Sequence, residues 1–205
     1  MSSSPQVRDG PFVLGLTGSV GMGKSTVAAM FEEQGVPVFD ADGTVRHLQG
    51  PGGALVDAIE AEFPGTTGAA GVDRAKLGAR VFGDAAALER LEALVHPAVR
   101  EARRDFLDQH REQPLVVFDI PLLFEKGGFE EVDVVVVVSA PAETQRARVL
   151  ARPGMTPDRF EQILELQMPD AEKRARADFL INTGTTHEET RAAVRELVKM
   201  LTRSE

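Results

Sequence analysis

The chain contains no cysteine among its 205 residues, which excludes disulfide bonds, thiolate zinc sites and cysteine nucleophiles. Its four histidines are scattered and show neither H-x-H nor H-x-x-x-H spacing, so a transition-metal site is not favoured. Basic residues are also few, since 23 Lys and Arg stand against 32 Asp and Glu, a net charge of −9. This charge argues against non-specific binding to nucleic acid or to an anionic membrane. Any anionic ligand must be held by a local arrangement of donors.

Long apolar runs are missing as well. The most apolar stretch, residues 132–140, contains Asp133 and is far shorter than the roughly 20 residues of a membrane-spanning helix. The first ten residues are polar and lack the apolar core of a signal peptide. We therefore expect a cytoplasmic protein that does not enter membranes, with a flexible N-terminus over residues 1–11.

The apolar pattern predicts an α/β fold. Short apolar or β-branched runs, typical of buried parallel strands, occupy residues 12–17, 36–39, 115–118, 133–139 and 179–181. Helix-length segments separate them, which predicts βαβ units and a parallel sheet of five strands flanked by helices. Residues 44–112 contain mostly helical patterns and look like an insertion after the second strand. Within this insertion, Pro97 is expected to end one helix and open another, because the residue before a proline avoids the α region.

One segment carries a specific chemical signal. Residues 18–25 read G-S-V-G-M-G-K-S and match the pattern G-x4-G-K-[ST] between a predicted strand and a predicted helix. Glycines let the backbone wrap closely around phosphates, and the start of a helix favours an anion. Lys24 should reach the β and γ phosphates, and the hydroxyl of Ser25 should bind Mg²⁺. The segment predicts a site for a nucleoside triphosphate.

The rest of the chain narrows the use of that nucleotide. A GTPase would need the guanine-reading motif N-K-x-D, which does not occur, and a motor driven by nucleic acid would normally be larger and more basic. A helical insertion followed by an arginine-rich segment fits a small-molecule kinase. In such a kinase the insertion holds the acceptor, and the arginine-rich segment closes over ATP as a lid that excludes water.

Several further motifs follow the phosphate loop in a fixed order. They are D-x-D at residues 40–42, D-R at 73–74, H-P at 96–97, P-L-L-x-E at 121–125, Q-x-x-R at 145–148, Gln167, and A-D-x-x-x-N at 177–182. The ordered set resembles the dephospho-CoA kinase family and extends over about residues 12 to 200. Ser19 and Met22 depart from the residues usual in that family, but neither change removes a charged group.

The resemblance implies ATP-dependent phosphorylation of the ribose 3′-hydroxyl of dephospho-CoA, with Mg²⁺, as the last step of coenzyme A synthesis. It implies a P-loop kinase fold with a nucleotide-binding core at residues 12–43, 113–144 and 177–203. Residues 44–112 would form a helical domain for the acceptor, and residues 145–176 would form the lid. The expected partners are these two substrates, without nucleic acid or membrane, in a monomer or weak homo-oligomer.

The resemblance also assigns roles to individual residues. Asp42 would be the catalytic base, with Asp40 beside the substrate or the metal; by position alone, either aspartate is equally well explained as a cap of the next helix. Arg148 would neutralise charge on the transferred phosphoryl group, with Arg152 nearby, against the alternative of a solvated basic face. The expected nucleotide-binding residues are Gly21, Met22, Gly23, Lys24, Ser25, Thr26, Arg148, Arg152 and Asn182. The expected acceptor-binding residues are Asp40, Asp42, His96, Pro121, Leu122 and Glu125.

Two readings of the site stay open beside this one. A nucleoside, nucleotide or sugar kinase would share the same architecture, because the donor side of the sequence is clearer than the acceptor side. A nucleotide-binding regulator without transfer chemistry would need no base, so Lys24 and Ser25 together with Asp42 argue against it. Asp119, after the third apolar run, is a candidate magnesium carboxylate, although the family has no consistent acid there.

Overall fold

The computed structural model of the chain describes residues 10–203. The flexible N-terminus expected at residues 1–11 therefore lies almost entirely outside the described residues. The strands in chain order are β1 (Phe12–Thr17), β2 (Val38–Asp40), β3 (Thr67–Gly68), β4 (Gly71–Val72), β5 (Leu115–Asp119), β6 (Val134–Ser139) and β7 (Phe179–Asn182). The helices are α1 (Lys24–Glu33), α2 (Ala41–Leu48), α3 (Val56–Glu62), α4 (Arg74–Val81), α5 (Ala85–Gln109), α6 (Ala142–Leu150), α7 (Pro157–Glu165), α8 (Asp170–Ala175) and α9 (His187–Thr202), with a short 3-10 helix at Gly128–Glu131.

The principal sheet is parallel and has five strands in the order β2-β5-β1-β6-β7. Its central strands read as continuous apolar runs because helices cover both faces of such a sheet. In β5 and in β6 up to Val138, every side chain is buried. This confirms the expected α/β fold with a five-stranded parallel sheet.

The chain divides into two compact units. The first consists of residues up to Phe39 and from His110 onward, and the second of Asp40–Gln109. The first unit packs apolar side chains of the sheet against α1 and α9, among them Leu16, Phe31 and Leu197. The second unit has a separate small core. The functional division into core, acceptor domain and lid stays a prediction.

The second unit corrects one expectation. Pro97 does not end a helix: α5 runs without interruption from Ala85 to Gln109 with Pro97 inside it. A proline inside a helix removes a backbone hydrogen bond and typically costs about 3 kcal/mol. Leu94, Val95 and Ala98 pack against the core of this unit on both sides of the proline. Burial of these side chains offsets the loss, so tertiary packing overrides the local rule.

Two helices of the first unit begin at threonine caps. The Thr156 side chain accepts a hydrogen bond at the start of α7, and Pro157 occupies its first turn. Thr186 and Glu189 form a capping box at the start of α9. Within residues 10–203, no helix is long and apolar enough to cross a membrane.

Candidate active site

The phosphate loop connects β1 to α1. Gly21 and Gly23 have φ values of +78° and +87°, in the left-handed region that favours glycine. A Cβ atom at Gly18 would lie 2.7 Å from the Val138 carbonyl oxygen, and one at Gly21 would collide with the side chain of Val149. Glycine is therefore required here by backbone conformation and by close packing.

Lys24 begins α1 and forms an ion pair with Asp119. Asp119 is the last residue of β5, lies opposite Leu16 of β1 and is 6% exposed. Parallel strands bring their carboxyl ends to one edge of the sheet, which is where ligands of open α/β sheets collect. The geometry thus brings the candidate carboxylate Asp119 to the phosphate loop.

A cavity of about 220 Å³ opens beside the loop. It brings together residues that are far apart in the chain but were expected to bind nucleotide, along with several that were not. Its lining consists of Gly21, Gly23, Ser25, Thr26, Met30, Arg148, Arg152, Thr183, Thr185, His187 and Thr190. The helix start and two arginine side chains make this cavity suited to a polyanion.

Thr183, directly after Asn182 at the end of β7, joins three parts of this site. Its hydroxyl donates to the Met22 carbonyl oxygen at 2.6 Å, and its backbone N–H donates to the Ser139 carbonyl oxygen at 2.9 Å. The Arg148 guanidinium donates to the Thr183 hydroxyl at 3.1 Å and to the Thr183 carbonyl oxygen at 2.7 Å. The predicted lid cation is therefore held beside the phosphate loop. These contacts of Thr183 have no local pattern in the sequence, because its partners are distant in the chain.

Asn182, expected among the nucleotide ligands, lines a neighbouring stretch of surface. It borders a cavity of about 280 Å³ together with Pro141, Arg174 and Ile181. Its side-chain oxygen accepts a hydrogen bond from the Gly184 N–H at 2.8 Å. Its contact with a nucleotide stays a prediction.

Glu125, expected at the acceptor, has partners in the lid segment. Its Oε1 accepts from the Met168 N–H at 2.8 Å and lies 2.8 Å from Nζ of Lys173, which is fully buried. Burial raises the pKa of Glu125, but Lys173 and the Met168 N–H together outweigh it, so the pKa lies below its usual value. Glu125 thus has a structural role in the first unit, and its binding to the acceptor stays a prediction. Pro121 uses its carbonyl oxygen to accept from the Thr17 hydroxyl at 3.1 Å, and Leu122 is half-buried.

The two aspartates expected near the acceptor have different surroundings in the second unit. Asp40 caps α2: its Oδ1 accepts from the Gly43 N–H at 2.8 Å, and its Oδ2 lies 3.0 Å from the Arg46 guanidinium. Asp42 is exposed in the first turn of α2, and its carboxylate makes no hydrogen bond or ion pair with another described residue. Asp40 is therefore the helix cap, whereas the carboxylate of Asp42 is available to a ligand. His96 is exposed on α5.

The donor set fits magnesium better than a transition metal. Within the described part of the chain, no group of three or more His, Asp or Glu side chains could hold a metal ion. Mg²⁺ is commonly bound through one or two protein oxygens together with substrate phosphates. The Ser25 hydroxyl and the Asp119 carboxylate, both beside the phosphate loop, are oxygen donors of this kind.

A third cavity, of about 310 Å³, lies at the opposite edge of the sheet, where β6 begins. It is lined by Phe124, Phe129 and Arg176 among others and contains none of the expected site residues. The cavity beside the phosphate loop is therefore the candidate active site.

Comparison with known proteins agrees with this choice. The family model for dephospho-CoA kinase matches residues 12–189. A dephospho-CoA kinase from Novosphingobium aromaticivorans is 66% identical over 191 residues, covering 93% of this chain and 95% of the relative. A crystal structure from Thermus thermophilus matches with a TM-score of 0.82 and 35% identity, over 95% of this chain and all (100%) of that one. Dephospho-CoA kinase from Campylobacter jejuni matches with a TM-score of 0.63 at 22% identity, over 94% of this chain and 98% of that one, which supports the fold.

The family match spans the phosphate loop and every ordered motif up to Asn182. The structure unites the loop with the distant Arg148 in one cavity of the kind a phosphate donor needs. On this combined evidence the chain belongs to the dephospho-CoA kinase family.

Proposed function

We propose that this chain transfers the γ-phosphoryl group of ATP to the ribose 3′-hydroxyl of dephospho-CoA, giving coenzyme A and ADP. The observation that carries the proposal is the cavity in which the phosphate loop meets Arg148 and Arg152, in a chain of the dephospho-CoA kinase family. In the reaction, a bond forms between the 3′-oxygen and the γ-phosphorus. The bond from that phosphorus to the β–γ bridging oxygen breaks, and ADP leaves with the electron pair.

On the donor side, backbone N–H groups of the phosphate loop and the start of α1 would bind the phosphates of ATP. Lys24 would move from its ion pair with Asp119 to the β and γ phosphates. Gly21, Met22, Gly23, Ser25 and Thr26 would form the remainder of this cradle, and Asn182 would border the adenine. Exchange of one anionic partner for another keeps the Lys24 charge compensated throughout.

Asp42 is the residue we propose as the base. It would accept the proton of the acceptor hydroxyl as the 3′-oxygen attacks and would orient that oxygen. Its exposure and its lack of an ion pair among residues 10–203 support this assignment, because a carboxylate engaged in a cap is less free to take a proton. Asp40 would hold the start of α2, and hence Asp42, in place.

Arg148 and Arg152 would neutralise the charge that spreads over the phosphoryl oxygens in the transition state. Arg148 is already within the donor cavity, where Thr183 holds its guanidinium. On the acceptor side, His96, Pro121, Leu122 and Glu125 are proposed contacts on the strength of the family motifs alone.

We propose Mg²⁺ as the accompanying ion, held by Ser25 and Asp119 together with phosphate oxygens. It would supply neutralisation of charge on the phosphates. We also propose that the reaction takes place in the cytoplasm.

An acceptor panel tests the proposal. ADP release from ATP and Mg²⁺ is measured with dephospho-CoA, adenosine, AMP, shikimate and a hexose as acceptors, and without acceptor. We expect dephospho-CoA to give by far the highest acceptor-dependent rate. A higher rate with another hydroxyl compound would overturn the substrate assignment, and release that no acceptor stimulates would favour a nucleotide-binding regulator.

A further inference from the structure

Two glutamine side chains bind one residue of the phosphate loop. Gln145, in α6, donates from Nε2 to the Val20 carbonyl oxygen at 2.8 Å. Gln167, which follows α7, accepts at Oε1 from the Val20 N–H at 3.0 Å. Both backbone polar groups of Val20 are therefore bound by side chains from the segment expected to be the lid.

Close packing joins the same two parts of the first unit. A Cβ atom at Gly21 would collide with Val149 and would lie 3.1 Å from the Gln145 carbonyl oxygen, so the loop backbone lies directly on α6. Gln145 is 6% exposed, which places its hydrogen bond to Val20 away from most solvent. A buried amide of this kind is costly to leave without its partner.

The phosphate loop needs such support because it is rich in glycine. Gly18, Gly21 and Gly23 give the loop many backbone conformations, and ordering glycine costs more conformational entropy than ordering other residues. A loop that is ordered before the ligand arrives does not pay this cost on binding.

We propose that Gln145 and Gln167 are positioning residues that order the phosphate loop for nucleotide. They do so by holding both backbone groups of Val20. The inference rests on the proposed function in one respect, since it takes the loop as the site of nucleotide phosphates. It further implies that the Val20 N–H, bound by Gln167, is not a phosphate donor, and that the donors begin at Gly21.

Loss of either glutamine should weaken nucleotide binding but leave turnover at saturating nucleotide almost unchanged. In the free protein, loss of a glutamine lets the loop sample conformations that cannot bind. The apparent dissociation constant then rises in inverse proportion to the fraction of molecules whose loop remains competent to bind. In the saturated complex, the phosphates themselves order the loop, so kcat changes little. A net hydrogen bond of ordinary strength corresponds to roughly a fivefold change in affinity.

The experiment uses the full chain and titration calorimetry with Mg²⁺ and ADP, without acceptor. Gln145→Met and Gln167→Met remove the hydrogen bonds while keeping side-chain length. We expect each to raise the Kd for ADP by about fivefold and to leave kcat at saturating ATP within about twofold. The ATP KM should rise along with the Kd.

Substitution by glutamate distinguishes position 145 from position 167. Gln145 acts as a hydrogen-bond donor to Val20, which glutamate cannot replace, whereas Gln167 acts as an acceptor, which glutamate can replace. In Gln167→Glu a carboxylate oxygen can still accept from the Val20 N–H, so its Kd should rise less than that of Gln167→Met. In Gln145→Glu an acceptor faces the Val20 carbonyl oxygen, so its Kd should rise at least as much as that of Gln145→Met. Gln162→Glu, at an exposed position of α7, controls for the added charge and should bind ADP as the unmodified chain does.

Thermal unfolding of each variant identifies a purely structural role. A fall in melting temperature with unchanged Kd would overturn the proposal, as would equal effects of Gln145→Glu and Gln167→Glu or a fall in kcat with unchanged Kd. If Gln145→Met does not fold, the Gln167→Met and Gln167→Glu pair makes the same comparison at one hydrogen bond. Binding of ADP by a chain that does not phosphorylate dephospho-CoA would refute the proposed function while still testing this inference.

Discussion

At the scale of single residues, Asp40 and Asp42 are two positions apart, on either side of Ala41, but have different surroundings. Asp40 is occupied by the Gly43 N–H and by Arg46, whereas Asp42 has no hydrogen-bonding or ionic partner within the described chain. Asparagine at either position keeps the size of the side chain and a carbonyl acceptor. Asparagine variants of the two aspartates therefore test the proposed base chemistry separately from support of the helix.

We predict that Asp42→Asn lowers turnover by roughly 10²-fold or more while ATP binding is largely retained, the usual scale for a positioned general base. Asp40→Asn should be clearly less damaging, because asparagine also caps helices well and the Arg46 pair is exposed. Single-turnover rates at saturating ATP, Mg²⁺ and dephospho-CoA measure the difference. A larger loss of the single-turnover rate in Asp40→Asn would identify Asp40, not Asp42, as the base.

Arg148 supports a second prediction at this scale. Arg148→Ala removes a cation from the donor cavity, so turnover should fall by roughly 10²-fold, with a smaller effect on acceptor affinity. Arg146→Ala is the matched control on the same helix, since the Arg146 side chain is exposed and lies 3.9 Å from Glu161. Steady-state kcat and KM for dephospho-CoA are the measurements. Equal rates in the two variants would show that Arg148 has no role in turnover, as expected for a residue of a solvated basic face.

At the scale of elements, α8 is tied to the loop after β5 by a buried charge. Lys173, in α8, is fully buried beside Glu125, whose Oε2 has no hydrogen-bond partner in the described structure. Glu125→Gln would leave the buried ammonium without a carboxylate. We expect this variant to lose about 2 kcal/mol of stability at pH 7, less than for a fully buried pair because Glu125 itself is partly exposed.

The dependence on pH follows from the lowered pKa of Glu125. A carboxyl group with a lower pKa in the folded state stabilises the protein above its unfolded pKa of about 4.3 and loses that contribution as pH falls through the folded value. The stability gap between the unmodified chain and Glu125→Gln should therefore be full near pH 7 and shrink below about pH 4.3. Urea unfolding at several pH values measures it, with Glu172→Gln on the exposed side of α8 as the control. A gap independent of pH would contradict the ionic account.

Some strands and helices can be predicted from sequence patterns alone, and others cannot. The five strands of the principal sheet are recognisable because burial on both faces demands continuous apolar runs such as residues 134–138. The hairpin of β3 and β4 has two residues in each strand, too few to show any alternation, and was not expected. The continuity of α5 through Pro97 depends on packing inside the second unit, which no local rule contains.

The candidate active site likewise has a part that the sequence predicts and a part that it does not. The phosphate loop is predictable because glycine, lysine and serine are needed at fixed spacing along the chain. Asp119 is recognisable as a candidate carboxylate after a strand, but its ion pair with Lys24 is not. That pair, the Thr183 hydrogen bonds and the glutamine bonds to Val20 depend on contacts between distant segments. Serine, threonine and glutamine have so many ordinary roles that their types alone identify no site.

At the scale of the whole molecule, we expect one donor nucleotide and one kind of acceptor to react in a single phosphoryl transfer. The product of that transfer is specific: a phosphate on the 3′-oxygen of the ribose of dephospho-CoA. Lys24→Ala, a change at the start of α1, provides the matched blank, because loss of a cation aimed at phosphates should remove most activity and leave the fold intact. Far-UV circular dichroism verifies that the blank is folded.

The most direct measurement is identification of the product after incubation with ATP, Mg²⁺ and dephospho-CoA. Mass spectrometry gives the added phosphate, and phosphorus and proton NMR give its position on the ribose. We expect the 3′-phosphorylated product, coenzyme A, to form in equal amount with ADP and to be nearly absent with Lys24→Ala. Phosphate at another position, or ADP formed without phosphorylated acceptor, would contradict this expectation.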